Sequence, residues 1–235
     1  MIAVTIPVHN EARFIEKTVK TLLEESTLLG EEFRVIVAED GSTDGTNKTV
    51  QTLVNSDPRV ICFHSDKKLG KGLALRTAWE RVDADIYAFI DCDLATDMKH
   101  FAELIHFVKQ GYDLATGSRY KKGATVKRPI LRSLVSKFYN RLVRIAFKTQ
   151  VYDHQAGFKA FSKRIIADLL RKCKSDHWFW DTEIIIRARQ KGYRCIEFPV
   201  DWKEKKGDRT PIIRLVKDCY IFGKELLKMN VSSRF

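Results

Sequence analysis

Short apolar segments alternate with amphipathic helical patterns through the first 95 residues, and this alternation restricts the chain to few folds. The apolar segments cover residues 2–8, 33–39, 60–64 and 86–90, and the helical patterns cover residues 11–25, 44–54 and 72–82. Strands separated by helices in this way pair in parallel, with right-handed crossovers and helices on both faces of the sheet. We therefore predict an α/β fold with a mostly parallel, mixed sheet.

After residue 95 the alternation becomes less regular. We predict helices over residues 98–109, 130–148, 181–190 and 212–229, and strands over residues 112–116 and 195–200. The chain contains no internal repeat, low-complexity stretch or linker. A single domain covering residues 1–235 is therefore expected.

The chain is strongly basic, with 42 Lys and Arg residues against 30 Asp and Glu residues and a net charge of +12. Such an excess predicts an anionic partner, which could be nucleic acid, an acidic membrane surface or a phosphorylated substrate. The alternative is a generally basic surface. Because the chain lacks an RNA-binding aromatic strand motif and a DNA-binding signature, nucleic acid is not expected as a partner.

Cysteine usage and hydropathy indicate the compartment. The five cysteines lie singly along the chain, which argues against a disulfide framework or a zinc cluster and fits a reducing compartment. No apolar run approaches the roughly 18 residues of a membrane span, and Met1 leads into the first strand without a basic leader. We therefore expect a cytoplasmic protein.

Polar residues follow three of the predicted strands, at residues 9–11, 40–46 and 91–93. The carboxyl ends of parallel strands meet at one edge of a sheet, where such folds bind ligands. Asp91 and Asp93 follow a buried strand, and neighbouring carboxylates of this kind usually hold a cation. Mg²⁺ or Mn²⁺ would join them to a diphosphate. The alternative is a solvated turn.

Two further segments belong to the same predicted edge. Glu39 and Asp40 end a strand and could accept hydrogen bonds from a ribose or a base. Lys71 precedes a predicted helix and could hold a phosphate together with the helix N-terminus. The glycines around Lys71 match neither a P-loop nor a complete dinucleotide fingerprint, so an ATPase and a nicotinamide-dependent dehydrogenase lose support.

The second half contributes cations and a second acidic group. The candidates for binding phosphate are Arg119, Arg128, Arg132 and Arg209, although each alone could be a surface arginine. Asp181 and Glu183 begin a helix directly after three aromatic residues, which suggest a pocket wall. Acidic residues in a first helical turn are, however, often only partners of the helix dipole.

The predicted helix 130–148 has two different faces. Its apolar face contains Leu131, Leu134, Phe138, Leu142 and Ile145, and its basic residues are Lys137, Arg141, Arg144 and Lys148. Such a helix can lie in an anionic membrane interface. It can equally pack on its own domain with a solvated basic face. Both interpretations stay open at this point.

Seven motifs occur in an ordered series: PVHNE (7–11), EDGSTDGT (39–46), LGKGLALR (69–76), DCDLAT (91–96), GSRY (117–120), HQAGFKAF (154–161) and WDTEI (180–184). Together they resemble the inverting family 2 glycosyltransferases, and among them the dolichyl- or polyprenyl-phosphate hexose synthases, as far as about residue 209. The resemblance implies a Rossmann-like, GT-A type domain in which residues 1–95 bind a nucleotide sugar and residues 96–235 form the acceptor side. It also implies transfer of glucose or mannose to a lipid phosphate, with Mg²⁺ or Mn²⁺ as cofactor.

The same resemblance implies roles for individual residues. Asp91 and Asp93 would stand at the metal and the diphosphate, with Arg119 and Asp181 as further catalytic residues. Pro7, Glu11 and Asp40 would contact the nucleoside. The further residues predicted to bind substrate are Val8, Asn10, Glu39, Gly41, Lys71, Arg76 and Cys92. Those implied to grip the acceptor phosphate are Arg119, Arg132 and Arg209, with Arg128 in reserve.

This sequence departs from the family pattern in places. Mannosyl-transferring relatives often carry Gln where this chain has Ala95, and DCDLAT looks more like the glucosyl-transferring branch, so UDP-glucose is favoured over GDP-mannose. Glu39 replaces the first Asp of the usual motif. Many relatives carry transmembrane helices and this chain has none. We therefore expect it to reach its lipid on the cytoplasmic face of a membrane through helices 130–148 and 212–229, with a separate membrane subunit as a further conceivable partner.

The acceptor decides whether a base is needed. A phosphate monoester is largely anionic at neutral pH and needs cations rather than a general base. A sugar hydroxyl would require a base, and Asp181 is the leading candidate. The alternatives are therefore a family 2 enzyme acting on a saccharide hydroxyl and, more remotely, a nucleotide-binding protein without catalysis. A nucleotidyltransferase would need a Gly-rich basic loop after the first strand, which PVHNE is not.

Overall fold

The computed structural model describes residues 1–205, 221, 223–226 and 228–229. Its strands are β1 (Ile2–Val8), β2 (Phe33–Asp40), β3 (Val60–Ser65), β4 (Ile86–Ile90), β5 (Leu114–Ser118), β6 (Val126–Lys127), β7 (Phe158–Ser162), β8 (Cys195–Pro199) and β9 (Trp202–Lys203). Its helices are α1 (Ile15–Leu29), α2 (Thr46–Ser56), α3 (Lys71–Trp79), α4 (Phe101–Lys109), α5 (Ile130–Phe147), α6 (Lys163–Leu169) and α7 (Trp180–Gln190), with a 3₁₀ turn Met98–His100 before α4.

Seven of these strands form one sheet in the order β3-β2-β1-β4-β7-β5-β8. Neighbouring strands are parallel except that β7 runs antiparallel to both β4 and β5. The short strands β6 and β9 pair in parallel beside this sheet. The predicted α/β fold with a mostly parallel, mixed sheet is therefore confirmed.

Alternate residues of the central strands point into two different cores. In β1, Ile2, Val4 and Ile6 pack with α1, α2 and α4, whereas Ala3 packs on the opposite face with α3, α6 and α7. Each fully buried aliphatic side chain of this size contributes about 1.5–3 kcal/mol to folding. Because β1 is covered on both faces, its sequence is almost continuously apolar, as in other buried parallel strands.

The early elements lie where the sequence pattern predicts them. Strands β1 and β4 have the predicted bounds, and β2 and β3 are one residue longer than predicted. Helix α1 begins at Ile15 rather than at residue 11, because residues 11–14 form a turn after β1. No helix among the described residues is long and apolar enough to cross a bilayer.

Strand β7 and helix α6 lie where the sequence pattern predicts no element. The charged Lys159 interrupts the apolar pattern of β7, although its side chain is completely buried. The predicted helix 212–229 lies mostly outside the described residues. Its described positions 221, 223–226 and 228–229 are helical, and Leu226 and Met229 pack against Tyr139, Val143 and Ile186.

Candidate active site

A cavity of about 750 Å³ opens at the sheet edge where β1, β2, β4 and β5 end and β7 begins. The predicted site residues that line it are Pro7, Val8, Asn10, Glu11, Asp40, Lys71, Asp91, Cys92, Asp93, Arg119, Arg128, Arg132 and Asp181. Glu39, Gly41 and Arg76 do not line it, and Arg209 lies outside the described residues. The fold thus brings residues separated by more than a hundred positions to one place.

The loops after β1 and β2 are held together by hydrogen bonds. The backbone N–H of Asn10 donates to Ser42 Oγ at 2.9 Å, and the N–H of Thr43 donates to Asn10 Oδ1 at 2.8 Å. Glu11 N–H donates to Thr46 Oγ1 at 2.9 Å. Asn10 adopts a positive φ of 59°, which asparagine tolerates better than most residues. These contacts give the first wall of the cavity a defined shape.

Glu39 and Asp40 are buried and engaged by the protein itself. The Glu39 carboxylate accepts from Ser42 N–H at 2.6 Å and pairs with His64, and the side chain is fully buried. Asp40 accepts from the backbone N–H groups of Leu69 and Gly70, the latter at 2.9 Å. Asp40 still lines the cavity, but the contacts of Glu39 support a structural role rather than a nucleoside contact.

Gly41 and Arg76 act on the loops around the cavity. A Cβ on Gly41, whose φ is +66°, would lie 2.7 Å from the Lys67 carbonyl carbon, so only glycine fits there without a shift. Arg76 donates to the carbonyl oxygens of Cys173 at 3.0 Å and Ser175 at 2.8 Å. It therefore holds the segment that leads to the cavity residue His177 and does not itself line the cavity.

Asp91 and Asp93 stand at the end of β4. The Asp91 N–H donates to Gly157 O at 2.9 Å, and a Cβ on Gly157 would lie only 1.7 Å from Asp91 Oδ2. Asp93 accepts from Ala95 N–H at 3.0 Å. Gly157 at the start of β7 is thus required for the Asp91 carboxylate to occupy its place, and the sequence pattern did not single it out.

These two carboxylates can serve Mg²⁺ or Mn²⁺ only as part of a ligand set. No cluster of three or more His, Cys, Asp or Glu side chains that could hold a metal occurs in the described part of the chain. Mg²⁺ commonly binds through one or two carboxylates together with substrate phosphates and water. The pair Asp91 and Asp93 fits such a shared site and does not fit an all-protein cage.

Lys71 is buried between Asp91 and Asp181 and does not point into open space. Its ammonium is 3.1 Å from Asp91 Oδ1 and 3.0 Å from Asp181 Oδ2, and its side chain is 5% exposed. Burial alone would lower the pKa of Lys71, but the carboxylates of Asp181 and Asp91 outweigh it and raise the pKa above its usual value. Lys71 is therefore a firmly charged bridge between two carboxylates.

Lys159 does not line the cavity but lies beside the cavity residue Asp181, and sequence reasoning missed it. Its ammonium donates to Ala156 O and lies 3.9 Å from Asp181 Oδ1, an oxygen without a hydrogen-bond partner among the described residues. Burial lowers the pKa of Lys159 to about 8. The available signal was a single lysine in an otherwise apolar segment, FKAFS.

The arginines that line the cavity differ in how well they are paired. Arg119 forms a bidentate ion pair with Asp153, and this carboxylate outweighs burial and raises the pKa of Arg119. Arg132 pairs with Glu204. The Arg128 guanidinium lies 5.5 Å from the Trp202 ring, and neither Nε nor Nη1 makes a hydrogen bond within the described residues.

Burial gives the Arg128 guanidinium an unusually low pKa. Burial, followed by the charges of Arg119 and other neighbours, lowers its pKa to about 10. A buried donor without a partner costs about 1–3 kcal/mol. An anion that reaches Arg128 would therefore satisfy donors that have no partner in the described part of the chain.

Several aromatic and polar cavity residues were not singled out from the sequence. They are His177, Tyr139, Gln155 and Trp202. Of the three aromatics before Asp181, only Trp178 lines the cavity, while Phe179 and Trp180 are buried in the protein. The predicted pocket wall is thus one ring, which lies 4.9 Å from the Lys71 ammonium.

Comparison with known proteins identifies the family of this chain. The family model described as "Glycosyl transferase family 2" matches residues 3–170. The chain is 44% identical over 230 residues to glycosyltransferase AglD of Haloferax volcanii, with 97% of this chain and 36% of that protein covered. It is 24% identical over 243 residues to dolichyl-phosphate beta-glucosyltransferase ALG5A of Trichomonas vaginalis, with 99% and 74% covered.

The fold also matches a solved structure. Glucosyl-3-phosphoglycerate synthase from Mycobacterium tuberculosis, crystallised with Mn²⁺, UDP and phosphoglyceric acid, superposes with a TM-score of 0.70 at 18% identity, covering 100% of this chain and 78% of that one. This likeness identifies the GT-A fold. Because the family model spans most of the chain and the fold agrees with it, the chain belongs to glycosyl transferase family 2.

Proposed function

We propose that this chain transfers a hexose from a nucleotide sugar to a polyprenyl or dolichyl phosphate, with inversion at the anomeric carbon. The observation that carries the proposal is Arg128, a half-buried cavity residue whose buried Nε and Nη1 have no hydrogen-bond partner among the described residues. A phosphate monoester supplies the acceptor oxygens and negative charge that such a group lacks. The name of the Trichomonas relative, a dolichyl-phosphate glucosyltransferase, supports the same acceptor class.

The donor belongs at the carboxylate side of the cavity. Asp91 and Asp93 would hold the metal ion, and Pro7, Glu11 and Asp40 line the part of the cavity that would receive the nucleoside. A bound Mg²⁺ or Mn²⁺ would offset negative charge that develops on the departing nucleotide. Ala95, which also lines the cavity, supports UDP-glucose as the favoured donor, with GDP-mannose next.

The acceptor belongs at the arginine side. Arg128 and Arg132 would draw the phosphate into the cavity, and Arg119, held rigidly by Asp153, would orient it. An acceptor that is already anionic attacks the anomeric carbon in line without a general base, and such an attack inverts the configuration. The carboxylate of Asp181, engaged by Lys71, then supplies fixed negative charge beside the reacting centre.

Helix α5 supports a lipid-bound acceptor. Its apolar face is exposed in the described structure, with Leu134 59%, Phe138 65% and Ile145 67% exposed. The helix packs on the domain through a different face, which contains Ser136, Tyr139 and Val143. Because Ser136 and Tyr139 also line the cavity, docking of α5 at the cytoplasmic face of an anionic membrane would bring the cavity close to the lipid headgroups.

The deciding experiment is a donor and acceptor panel. The purified chain is incubated with UDP-glucose, GDP-mannose, UDP-GlcNAc or UDP-galactose, each with polyprenyl phosphate or with a saccharide, in the presence of Mg²⁺ or Mn²⁺. We expect a glycosylated lipid phosphate from UDP-glucose, with the inverted anomeric configuration by NMR. Product only from the saccharide would instead establish the alternative, a family 2 enzyme that acts on a hydroxyl.

A further inference from the structure

Four charged side chains form a row that begins in the cavity and continues into the buried protein, in the order Asp91, Lys71, Asp181 and Lys159. Lys71 is 3.1 Å from Asp91 and 3.0 Å from Asp181, and Lys159 is 3.9 Å from Asp181. The signs alternate along the row, so the two ammonium groups offset the two carboxylates. The row therefore has no charge left over to attract a cation strongly.

Lys71 stands where it affects metal binding. Its ammonium contacts Asp91 Oδ1, and Asp91 is one of the two carboxylates suited to a divalent metal. The ammonium lies 4.4 Å from the Phe89 ring and 4.9 Å from the Trp178 ring, and the side chain is buried between them. Lys71 thus cannot withdraw into solvent without losing these contacts, and a metal on Asp91 would meet a second cation nearby.

Lys159 determines which of the two carboxylates, Asp91 or Asp181, depends more on Lys71 as a counter-ion. Asp181 has a second cation beside it in Lys159, whereas the Asp91 carboxylate has Lys71 as its ion-pair partner in the described structure. Loss of Lys71 would therefore leave Asp181 with a cation at 3.9 Å and Asp91 without an ion-pair partner among the described residues. A bound diphosphate brings negative charge that offsets the excess positive charge of a metal and Lys71 together.

We propose that Lys71 is a resident counter-ion of Asp91 that makes binding of a divalent metal depend on the nucleoside diphosphate. The proposal rests on the proposed use of a nucleotide-sugar donor with a metal. It assigns Lys71 a positioning role on the protein's own carboxylates. It also means that metal and nucleotide bind as a coupled pair, with Lys71 weakening metal binding in the absence of the nucleotide.

The test measures Mn²⁺ binding without any acceptor or turnover. Free Mn²⁺ is titrated by electron paramagnetic resonance against the wild type, Lys71→Met, Lys71→Gln and Lys68→Met, each with and without UDP or GDP. One neighbouring charge shifts an ionic equilibrium by a factor of about ten to a thousand. We therefore expect Lys71→Met and Lys71→Gln to bind Mn²⁺ alone at least about tenfold more tightly than the wild type, with a smaller gain from nucleotide.

Lys68→Met is the matched control, because Lys68 lines the same cavity but is exposed and has no ion pair in the described structure. Its effect on Mn²⁺ affinity should stay below about twofold, since exposed charges are screened. Unchanged or weaker Mn²⁺ binding by both folded Lys71 variants, or an equal gain in Lys68→Met, overturns the proposal.

Thermal melting shows which variants are folded. Should neither Lys71 variant fold, the wild type decides, because equal Mn²⁺ affinity with and without both nucleotides overturns the proposal and a gain of about tenfold or more supports it. A failure to glycosylate polyprenyl phosphate leaves this binding test unchanged, so the two proposals fail independently.

Discussion

Arg119 and Asp153 form a bidentate ion pair at the edge of the cavity, with Nε 2.7 Å from Oδ2 and Nη2 2.8 Å from Oδ1. Their side chains are 8% and 0% exposed. Removing one partner of a buried pair leaves an uncompensated charge and costs about 3–5 kcal/mol. The pair therefore contributes to the stability of the fold and also fixes the position of Arg119 at the cavity.

The first prediction follows from this pair. Arg119→Ala should lower the free energy of unfolding by about 3–5 kcal/mol, measured by urea denaturation. Arg171→Ala, at an exposed ion pair with Glu80, should change it by less than about 1 kcal/mol. Equal stability of Arg119→Ala and the wild type would contradict the buried-pair argument.

Arg128 offers a cleaner test of the acceptor. Arg128→Ala should raise the KM for the lipid phosphate by about tenfold to a hundredfold, since a hydrogen bond to a charged group contributes about 1.5–3 kcal/mol. Stability should change little, because Nε and Nη1 of Arg128 make no hydrogen bond with any described residue. Initial rates with each substrate varied in turn check this. Equal increases in the KM of donor and acceptor would argue against an acceptor role.

Asp93 tests the metal assignment. Asp93→Asn keeps an oxygen that can accept from Ala95 N–H but removes the charge that would hold the cation. We expect kcat to fall at least about a hundredfold, the size found when one group that stabilises transition-state charge is lost. The circular dichroism spectrum and melting temperature should match the wild type. Turnover that is undiminished at every Mn²⁺ concentration would remove Asp93 from the site.

The exposed face of α5 predicts binding to anionic membranes. The wild type should float with vesicles that contain phosphatidylserine, and less so as salt rises, because the screened cations include Lys137 and Arg141. Phe138→Ser should reduce flotation without lowering stability, since Phe138 is 65% exposed. Thr52→Ser on α2, also an exposed helical position, is the control. Flotation that ignores salt and lipid charge would exclude this surface as a membrane contact.

His154 makes stability depend on pH. Its Nδ1 lies 2.8 Å from Asn140 Oδ1 and its Nε2 2.8 Å from Thr149 Oγ1, and burial lowers its pKa to about 3. In the unfolded chain the His154 ring takes up a proton near pH 6.5, whereas in the folded chain it stays neutral until about pH 3. The free energy of unfolding therefore falls as the pH drops from 6.5 towards 3. This one group should remove about 1.6 kcal/mol between pH 6.5 and 5.

Urea denaturation at both pH values measures that loss. His154→Gln lacks the titrating ring, so the part of the pH dependence due to His154 should disappear in this variant even though the variant is less stable. An identical pH dependence in the two proteins would show that His154 is not responsible.

Sequence pattern alone predicts the parts of the site that follow buried strands. Asp91 was predictable because a continuous apolar strand precedes it, and parallel strands end at a common edge. Lys159 was not, because a buried lysine looks polar in sequence and its counter-charge on Asp181 comes from a distant helix. The motif that contains Arg76 predicts a substrate contact, yet Arg76 contacts the backbone of residues 173 and 175.

Arg128 shows a similar limit. A sequence reveals four candidate arginines but not which of them already has a carboxylate partner. Pairing depends on Asp153 and Glu204, which approach Arg119 and Arg132 only after the chain has folded. Arg128, which the family resemblance ranks behind the other three arginines, is therefore the one whose surroundings most favour an external phosphate.

Strand β7 has a consequence for engineering the chain. It pairs with β4 and β5 on both sides, with Lys159 opposite Phe89 and Thr116. A slip of one residue would turn every β7 side chain to the other face of the sheet and carry Lys159 away from Asp181. Insertions between α5 and β7 must therefore be absorbed before residue 157, whereas the turn at residues 121–124 can change length without shifting any strand of the seven-stranded sheet.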